Sequence, residues 1–365
     1  MALSKIDVAN MVENEMPQAN IANNINFRNI IINGDMSIAK RSISVSGITG
    51  GGYYTVDRFH INMNGLGTWT QSQSTDVPSG QGFAKSLKMD CTTANASPSA
   101  DQYLVIESKF EGQNLQYLLK GTSSAKSLTL SFWIKSSKTG DFVAEIDDND
   151  NSRHINKLYT INSANTWEKK IITYAGDTSG TLDNDNNHSL RVMFWFGSGT
   201  THTGSALQTS WGSQNNTGRA DGCDNMADST SNEFYITGVQ LEAGTTASDF
   251  EFLPHDVNLQ RCQRYYQVYS PPPLRGISPS GTVVNRLGMS LVQVMRASPS
   301  SVSDSLRLHD GASNTTTTSI GTSYTSTHAV EYDYNVGSSY SATHRPVAVW
   351  NDLTDTRKLR LDSEL

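Results

Sequence analysis

Between residues 30 and 252 no apolar pattern keeps a 3.6-residue period long enough to build a major helix. The apolar residues come instead in short runs set apart by Gly, Ser, Thr and Asn. Parallel strands need crossover connections that are usually helical, so a chain without them is left with antiparallel sheets. The runs at 30–32, 59–63, 86–89, 103–107, 128–135, 142–146, 169–174, 190–196 and 234–241 predict about nine strands at the spacing of a sandwich. In two of them the period of two is explicit. Leu128, Leu130, Phe132 and Ile134 share a face opposite Thr129, Ser131, Trp133 and Lys135. Val192, Phe194 and Phe196 lie opposite Arg191, Met193 and Trp195.

Pro254 to Asn258 marks a boundary. Beyond it, Leu259, Cys262 and Tyr265 suggest a short helical turn leading into a strand at 265–269, which the run Pro271, Pro272, Pro273 stops. Further strands are expected at 287–295, 302–308, 328–334, 346–350 and 358–361, between Ser/Thr/Asn/Gly tracts such as 312–318. The predicted fold is all-β: an extended N-terminal segment over 1–28, an antiparallel β-sandwich over 29–254, and a second, smaller β-sandwich over 255–365.

Composition narrows function by exclusion. A net charge of −7 lacks the basic footprint of a nucleic-acid binder. No apolar run approaches the ~20 residues of a membrane span, and residues 1–29 lack the basic and apolar regions of a secretory signal, so synthesis in the cytoplasm of a producing cell is expected. Cys91, Cys223 and Cys262 are odd in number and far apart, which reads as buried free thiols. The eight histidines show no zinc spacing and read as isolated surface or turn residues, and no GxSxG, GxxxxGK[ST] or GxGxxG motif is present. A glycosidase needs only two carboxyls across a cleft, which leaves no spacing to recognise, so the 35 acidic residues do not decide that question.

The segment Asn29-Ile30-Ile31-Ile32-Asn33-Gly34-Asp35-Met36, with Tyr54-Thr55-Val56-Asp57-Arg58-Phe59 after it, resembles the opening of jelly-roll domains in phage tail fibre proteins, which are similar to family 4/9 carbohydrate-binding modules. The run Ile236-Thr237-Gly238-Val239-Gln240-Leu241-Glu242-Ala243-Gly244, continuing through Asp249-Phe250-Glu251 to Arg261-Cys262-Gln263-Arg264-Tyr265-Tyr266-Gln267, resembles their closing strand and junction. The two chain ends, Met1 to Asp7 and Leu361 to Leu365, resemble those of marine phage tail proteins. The resemblance implies a virion protein, a homotrimer as in tail fibres, whose residues 1–28 dock on other tail proteins and whose β domains project outward to host surface polysaccharide or lipopolysaccharide. Binding without catalysis leads; a structural tail or decoration component comes second, and a polysaccharide-degrading tailspike last, because no β-helix repeat is seen.

Trp133 and Trp195 are the candidates for a sugar-stacking platform, since an aromatic face excludes water from an apolar sugar face; the alternative is packing under loops or at a subunit contact. Arg191, on the face of Trp195, joins them as a carbohydrate-binding candidate. No cofactor is expected beyond a structural Ca2+, for which the resemblance implies the positions Asp35 and Asp249, although an Asn-Gly-Asp turn explains Asp35 equally well. The acidic stretches 147–151 and 183–187 have hard oxygen donors but fail the EF-hand pattern and read as solvated Asx turns.

Overall fold

The computed structural model describes residues 27–280, 283–309, 314–336, 345–349 and 357–365. Of the attachment segment expected over 1–28, all but Phe27 and Arg28 lie outside the described residues. The chain forms two compact units. The first gathers the described residues up to Ser37 together with Val45–Gly52 and His60–Leu253; the second gathers Ile38–Ser44, Tyr53–Phe59 and Pro254–Leu365. Two short stretches assigned by sequence to the first domain therefore belong to the second.

The first unit is a jelly-roll β-sandwich of antiparallel strands. It contains β1 (Ser44–Gly52), β2 (His60–Ser74), β3 (Ser86–Thr93), β4 (Tyr103–Glu111), β5 (Leu128–Ser136), β6 (Gly140–Asp148), β7 (Arg153–Ile161), β8 (Glu168–Tyr174), β9 (His188–Ser198), β10 (Gly212–Ser213) and β11 (Glu233–Ala243). Hydrogen bonding runs β10-β7-β6-β9-β4-β2-β3-β11-β5-β8, with β1 also on β2. The long strand β2 belongs to both layers: His60 to Gly65 pair with β4, and Thr68 to Ser74 pair with β3. The changeover sits at Gly65 (φ +58°) and Gly67 (φ +76°). At Gly67 a Cβ would stand 2.8 Å from the Thr93 carbonyl oxygen, so position and conformation both demand glycine.

The two layers meet through aromatic side chains. Phe132 on β5 packs edge-on against Phe194 of β9 (4.9 Å) and Tyr159 of β7 (5.1 Å), and Phe196 stacks on Phe234 of β11 at 3.8 Å. Each such fully buried ring contributes roughly 1.5–3 kcal/mol. The alternation in the sequence puts Leu130, Phe132, Ile134, Val192, Phe194 and Phe196 in this core, all fully buried. The expected strand at 30–32 does not form. Ile30 donates a single backbone bond to the Leu241 carbonyl, and the following Asn33–Met36 turn bonds Val239 through Gly34.

The second unit opens with α1 (His255–Gln263) and β12 (Tyr266–Tyr269) and continues with β13 (Arg275–Ser280), β14 (Val283–Ser290), β15 (Ser300–Ser303), β16 (Arg307–His309), β17 (Asn314–Thr325), β18 (Ala329–Val336), β19 (Arg345–Val349) and β20 (Leu359–Asp362). Instead of two packed sheets it forms a closed barrel, β13-β14-β18-β17-β16-β19, beside a three-stranded sheet, β12-β20-β15. Closing a sheet on itself leaves no unpaired edge, which suits short polar strands. Leu274, Leu287, Leu306, Leu308, Tyr332 and Val347 fill its core.

Within this unit the Arg58 guanidinium is fully buried, lies 3.5 Å from the centre of the Tyr265 ring and pairs with Glu364. Arg41 repeats the arrangement over Tyr266 at 3.8 Å, with Asp362 at 2.7 Å and Glu364 at 3.4 Å. Cation–π contacts of this kind gain when desolvated, and the carboxylates supply the charge balance that burial requires. Asp57 is buried beside Arg41 (3.6 Å) and accepts from the Lys40 amide. Burial pushes its carboxyl up to about 7 against the attraction of Arg41, with Glu364 adding to the rise.

The unfolded carboxyl titrates near ~3.9, so the folded state binds an extra proton between that value and about 7. The resulting stabilisation is complete at acid pH and is lost as pH rises through the folded value. We therefore expect the second unit to melt higher at pH 5 than at pH 8, and Asp57→Asn to flatten that difference, read by thermal melts followed with tyrosine-sensitive near-UV circular dichroism. An unchanged pH dependence in the variant would show that Asp57 is not its source.

Candidate functional site

Strand register decides what the outer face of the β2–β4–β9–β6–β7 layer carries. One row across the strands reads His60, Glu107, Met193, Glu145, Asn156, and the next reads Lys109, Arg191, Asp147, His154. Three carboxylates thus stand on a face already holding Val105, Val143 and Trp195, and all three are buried. Unpaired, each would cost several kcal/mol.

Arginines make the arrangement tolerable. Arg219 donates to Glu145 through Nη2 and through Nε at 3.3 Å, and reaches Asp147 at 2.9 Å. Arg191 donates from Nε to Asp147 at 2.9 Å and from Nη1 to Glu107 at 3.2 Å. The Trp195 indole donates to Glu145 at 2.7 Å, and the His154 ring contacts the same carboxylate at 3.1 Å. His154 Nε2 accepts from the Asn215 amide at 3.2 Å, which places the ring proton on Nδ1, directed at Glu145. Burial alone would raise the Glu145 carboxyl; Arg219 and His154 reverse this and hold it below its ordinary range.

The segment from Gly199 to Cys223 roofs the β6–β7–β9 half of this face. Gln208 donates to the His154 carbonyl at 2.9 Å, Gln214 to Asp147 at 2.7 Å, and Asn156 to the Arg219 carbonyl at 2.8 Å. Beneath it Trp195 packs against Tyr103 (5.9 Å) and against the roof's own His202 (5.2 Å).

The other half, over β2 and β4, carries partly buried polar side chains. Glu107, 1% exposed, is its centre, ringed by His60 Nδ1 (2.9 Å), Asn62 Nδ2 (3.3 Å), Arg191 Nη1 (3.2 Å) and Lys109 Nζ (3.5 Å). Tyr103 donates to Asn62 Oδ1 at 2.9 Å. Burial acts to raise Glu107, but the His60 hydrogen bond with the Arg191 and Lys109 charges outweighs it and brings the carboxyl to about 2. A buried anion thus fixes the partly buried side chains of His60, Asn62, Lys109 and Arg191 directly, and that of Tyr103 through Asn62.

Of the residues singled out in the sequence, Arg191 belongs to this band. Trp195 lies under the roof, 2% exposed, and has no free ring face for a sugar. Trp133 is half-buried on the outer face of the other layer, so the two tryptophans form no common platform. Asp35 sits in the Asn33–Met36 turn and Asp249 in the segment after β11, where its carbonyl accepts from Gln240. Among the described residues no group of three or more His, Cys, Asp or Glu side chains could hold a metal ion. The stretch 147–151 is not a solvated turn throughout. Asp147 is bound by arginines, and Asp148 pairs with Lys120 at 2.5 Å, though it also caps the Asn151 amide as an Asx turn does. His154 and His60, expected as isolated histidines, both engage carboxylates of this face. Cys91, Cys223 and Cys262 are free thiols, and burial raises all three, Cys223 to about 12, which leaves them poor nucleophiles.

Sequence reasoning missed Glu107, Glu145, His154 and Arg219. The available signal was the run of polar residues at alternate positions of β6 and β7, which has the strand period without the hydrophobic contrast that reveals it. Removing the roof's cation should be severe. Arg219→Ala leaves Glu145 and Asp147 under-compensated and is expected to cost about 3–5 kcal/mol in chemical denaturation. A loss below about 1 kcal/mol would mean that the network relaxes into water.

No family model and no curated protein matches this chain. Solved structures do. The enzymatically active domain of tailspike protein 4 from bacteriophage CBA120 shares 12% identity over 59% of this chain, with a TM-score of 0.31, and the match spans 21% of that chain. A family 11 carbohydrate-binding module from Clostridium thermocellum, solved with a β-1,3-1,4-mixed-linked tetrasaccharide, shares 14% identity over 56% of this chain and 98% of its own, with a TM-score of 0.27. The C-terminal family 22 carbohydrate binding module of Clostridium thermocellum Xyn10B shares 13% over 58% of this chain and 100% of its own, with a TM-score of 0.29.

Proposed function

We propose that this protein is a glycan-binding adhesin of a phage tail that attaches the virion to host surface polysaccharide or lipopolysaccharide without cleaving it. The observation that carries the binding reading is the band around Glu107. Glycans are recognised by fixed polar groups matched to their hydroxyls, and a rigid array loses little entropy on binding. Here His60, Asn62, Lys109 and Arg191 all touch one buried carboxylate, which holds them in place before any ligand arrives. The phage assignment is supported by the resemblance of the 29–36, 54–59 and 236–267 segments to tail fibre proteins. On the same resemblance residues 1–28 dock on other tail proteins and the protein is a homotrimer. Display in several copies would turn weak single-site contacts into firm attachment.

The carboxylates of this face also support binding over hydrolysis. A glycosidase needs one carboxyl kept protonated near neutral pH as general acid. Glu107 and Glu145 are both held below their ordinary range by arginine and histidine, which suits anchors rather than proton donors.

The test uses the full chain and polysaccharide extracted from host cells. Saturable binding by calorimetry is expected, weakened about tenfold or more in an Asn62→Ala, Lys109→Ala double variant that melts like the parent. Absence of binding at any attainable concentration would leave the structural-component reading, and release of reducing ends would revive the enzymatic one.

A further inference from the structure

The opposite outer face of the sandwich carries a second pattern. Register across β3, β11 and β5 aligns Lys88, Tyr235 and Lys135, and Trp167, just before β8, extends the row. The lysine ammonium groups approach the rings: Lys88 Nζ is 5.3 Å from the Tyr235 centroid, and Lys135 Nζ is 4.4 Å from Tyr235 and 5.9 Å from Trp167. In the neighbouring row Trp133 stands between Thr237 and Lys169. Behind Trp133, β11 bulges at Gly238 (φ +62°), where a Cβ would lie 3.1 Å from the indole and 2.6 Å from Phe83.

These side chains are anchored as deliberately as those of the Glu107 band. Trp167 Nε1 donates to Asp76 at 2.9 Å, Asp76 also pairs with Lys135, Lys88 pairs with Glu233 at 2.5 Å, and the Tyr235 hydroxyl donates to Glu233 at 3.1 Å. Trp133 and Trp167 are half-buried. Tyr235 is itself buried, so the rings that a sugar chain can reach on this face are those of Trp133 and Trp167, which offer apolar surface to a sugar ring beside polar groups already oriented for its hydroxyls. The row spans four strand positions, about 14 Å at the usual strand spacing, the length of a short oligosaccharide. Lys88 and Lys135 each already have a carboxylate partner, so charge complementarity favours an uncharged ligand over an acidic one.

We infer that the Lys88–Tyr235–Lys135–Trp167 row, with Trp133, is a second glycan-binding surface of this protein, and that it takes an uncharged polysaccharide chain laid across the strands. The surface is independent of the Glu107 band and on the other side of the sandwich, so one chain would present two contacts to a glycan layer and gain by avidity.

The experiment is electrophoresis of the full chain through native gels containing mixed-linkage β-glucan, galactomannan or dextran, with polygalacturonate as the charged control. At least one uncharged polymer is expected to retard the parent and to go on retarding the Asn62→Ala, Lys109→Ala variant, more weakly where that polymer also engages the Glu107 band. Trp133→Ala with Trp167→Ala should weaken that retardation about tenfold. A Trp133→Phe, Trp167→Phe variant, which keeps the rings, should retain most of it and serves if the alanine pair does not fold. The inference is overturned if no uncharged polymer retards the protein or if polygalacturonate alone does. It is equally overturned if retardation disappears with Asn62 and Lys109 instead of the tryptophans, or if sedimentation shows a self-association that only the tryptophan variants abolish, since the face would then cover a second copy. Failure of the Glu107 band reads out separately, as host polysaccharide binding indifferent to Asn62 and Lys109.

Discussion

The arginine–carboxylate network on the outer face of the β2–β4–β9–β6–β7 layer governs most of what this sandwich does. Glu107, Glu145 and Asp147 stand where strand alternation puts them, on a face that cannot be left to water because Val105, Val143 and Trp195 share it. Ionised carboxylates at such depth need partners with rigid, multiple donors, and arginine meets that need better than lysine. Arg219 comes from the roof and Arg191 from the sheet, so the same bonds that neutralise the carboxylates fasten Gly199–Cys223 down and tie it to the Glu107 half of the face.

Within the second unit the same chemistry has a different use. Arg41 and Arg58 stack on Tyr266 and Tyr265 and pair with Asp362 and Glu364, so three stretches far apart in sequence are fixed to each other. This gives physical content to segments that carry the resemblance to phage tail proteins. The Tyr54 to Phe59 stretch, the Arg261 to Gln267 stretch and the end of the chain are parts of one folded unit, and Arg58 and Tyr265 are meaningful mainly as a pair.

The two outer faces of the sandwich offer different chemistry. One has hydrogen-bonding groups held around a buried anion, and the other has rings and lysines in alternation with their charges balanced. Both are made rigid by groups that the ligand would not need to touch, which lowers the entropy that binding must overcome. Neither relies on loops alone.

Alternation by itself was enough to determine that the chain is all-β and antiparallel, and which residues of β5 and β9 face the core, because burial of one sheet face writes itself directly into hydrophobic periodicity. It also singled out Arg191 and the half-buried Trp133. It failed at β7, where His154 and Asn156 are polar yet buried, and at β17, whose Thr and Ser residues read as a linker. It also gave a sandwich where the second unit closes into a barrel, and a platform where Trp133 and Trp195 point to opposite sides. Those matters were decided by tertiary structure. Whether an outward-facing residue meets solvent, a roof or a partner's charge depends on strand order and on a covering segment contributed from elsewhere in the chain, and neither has a local signature in sequence.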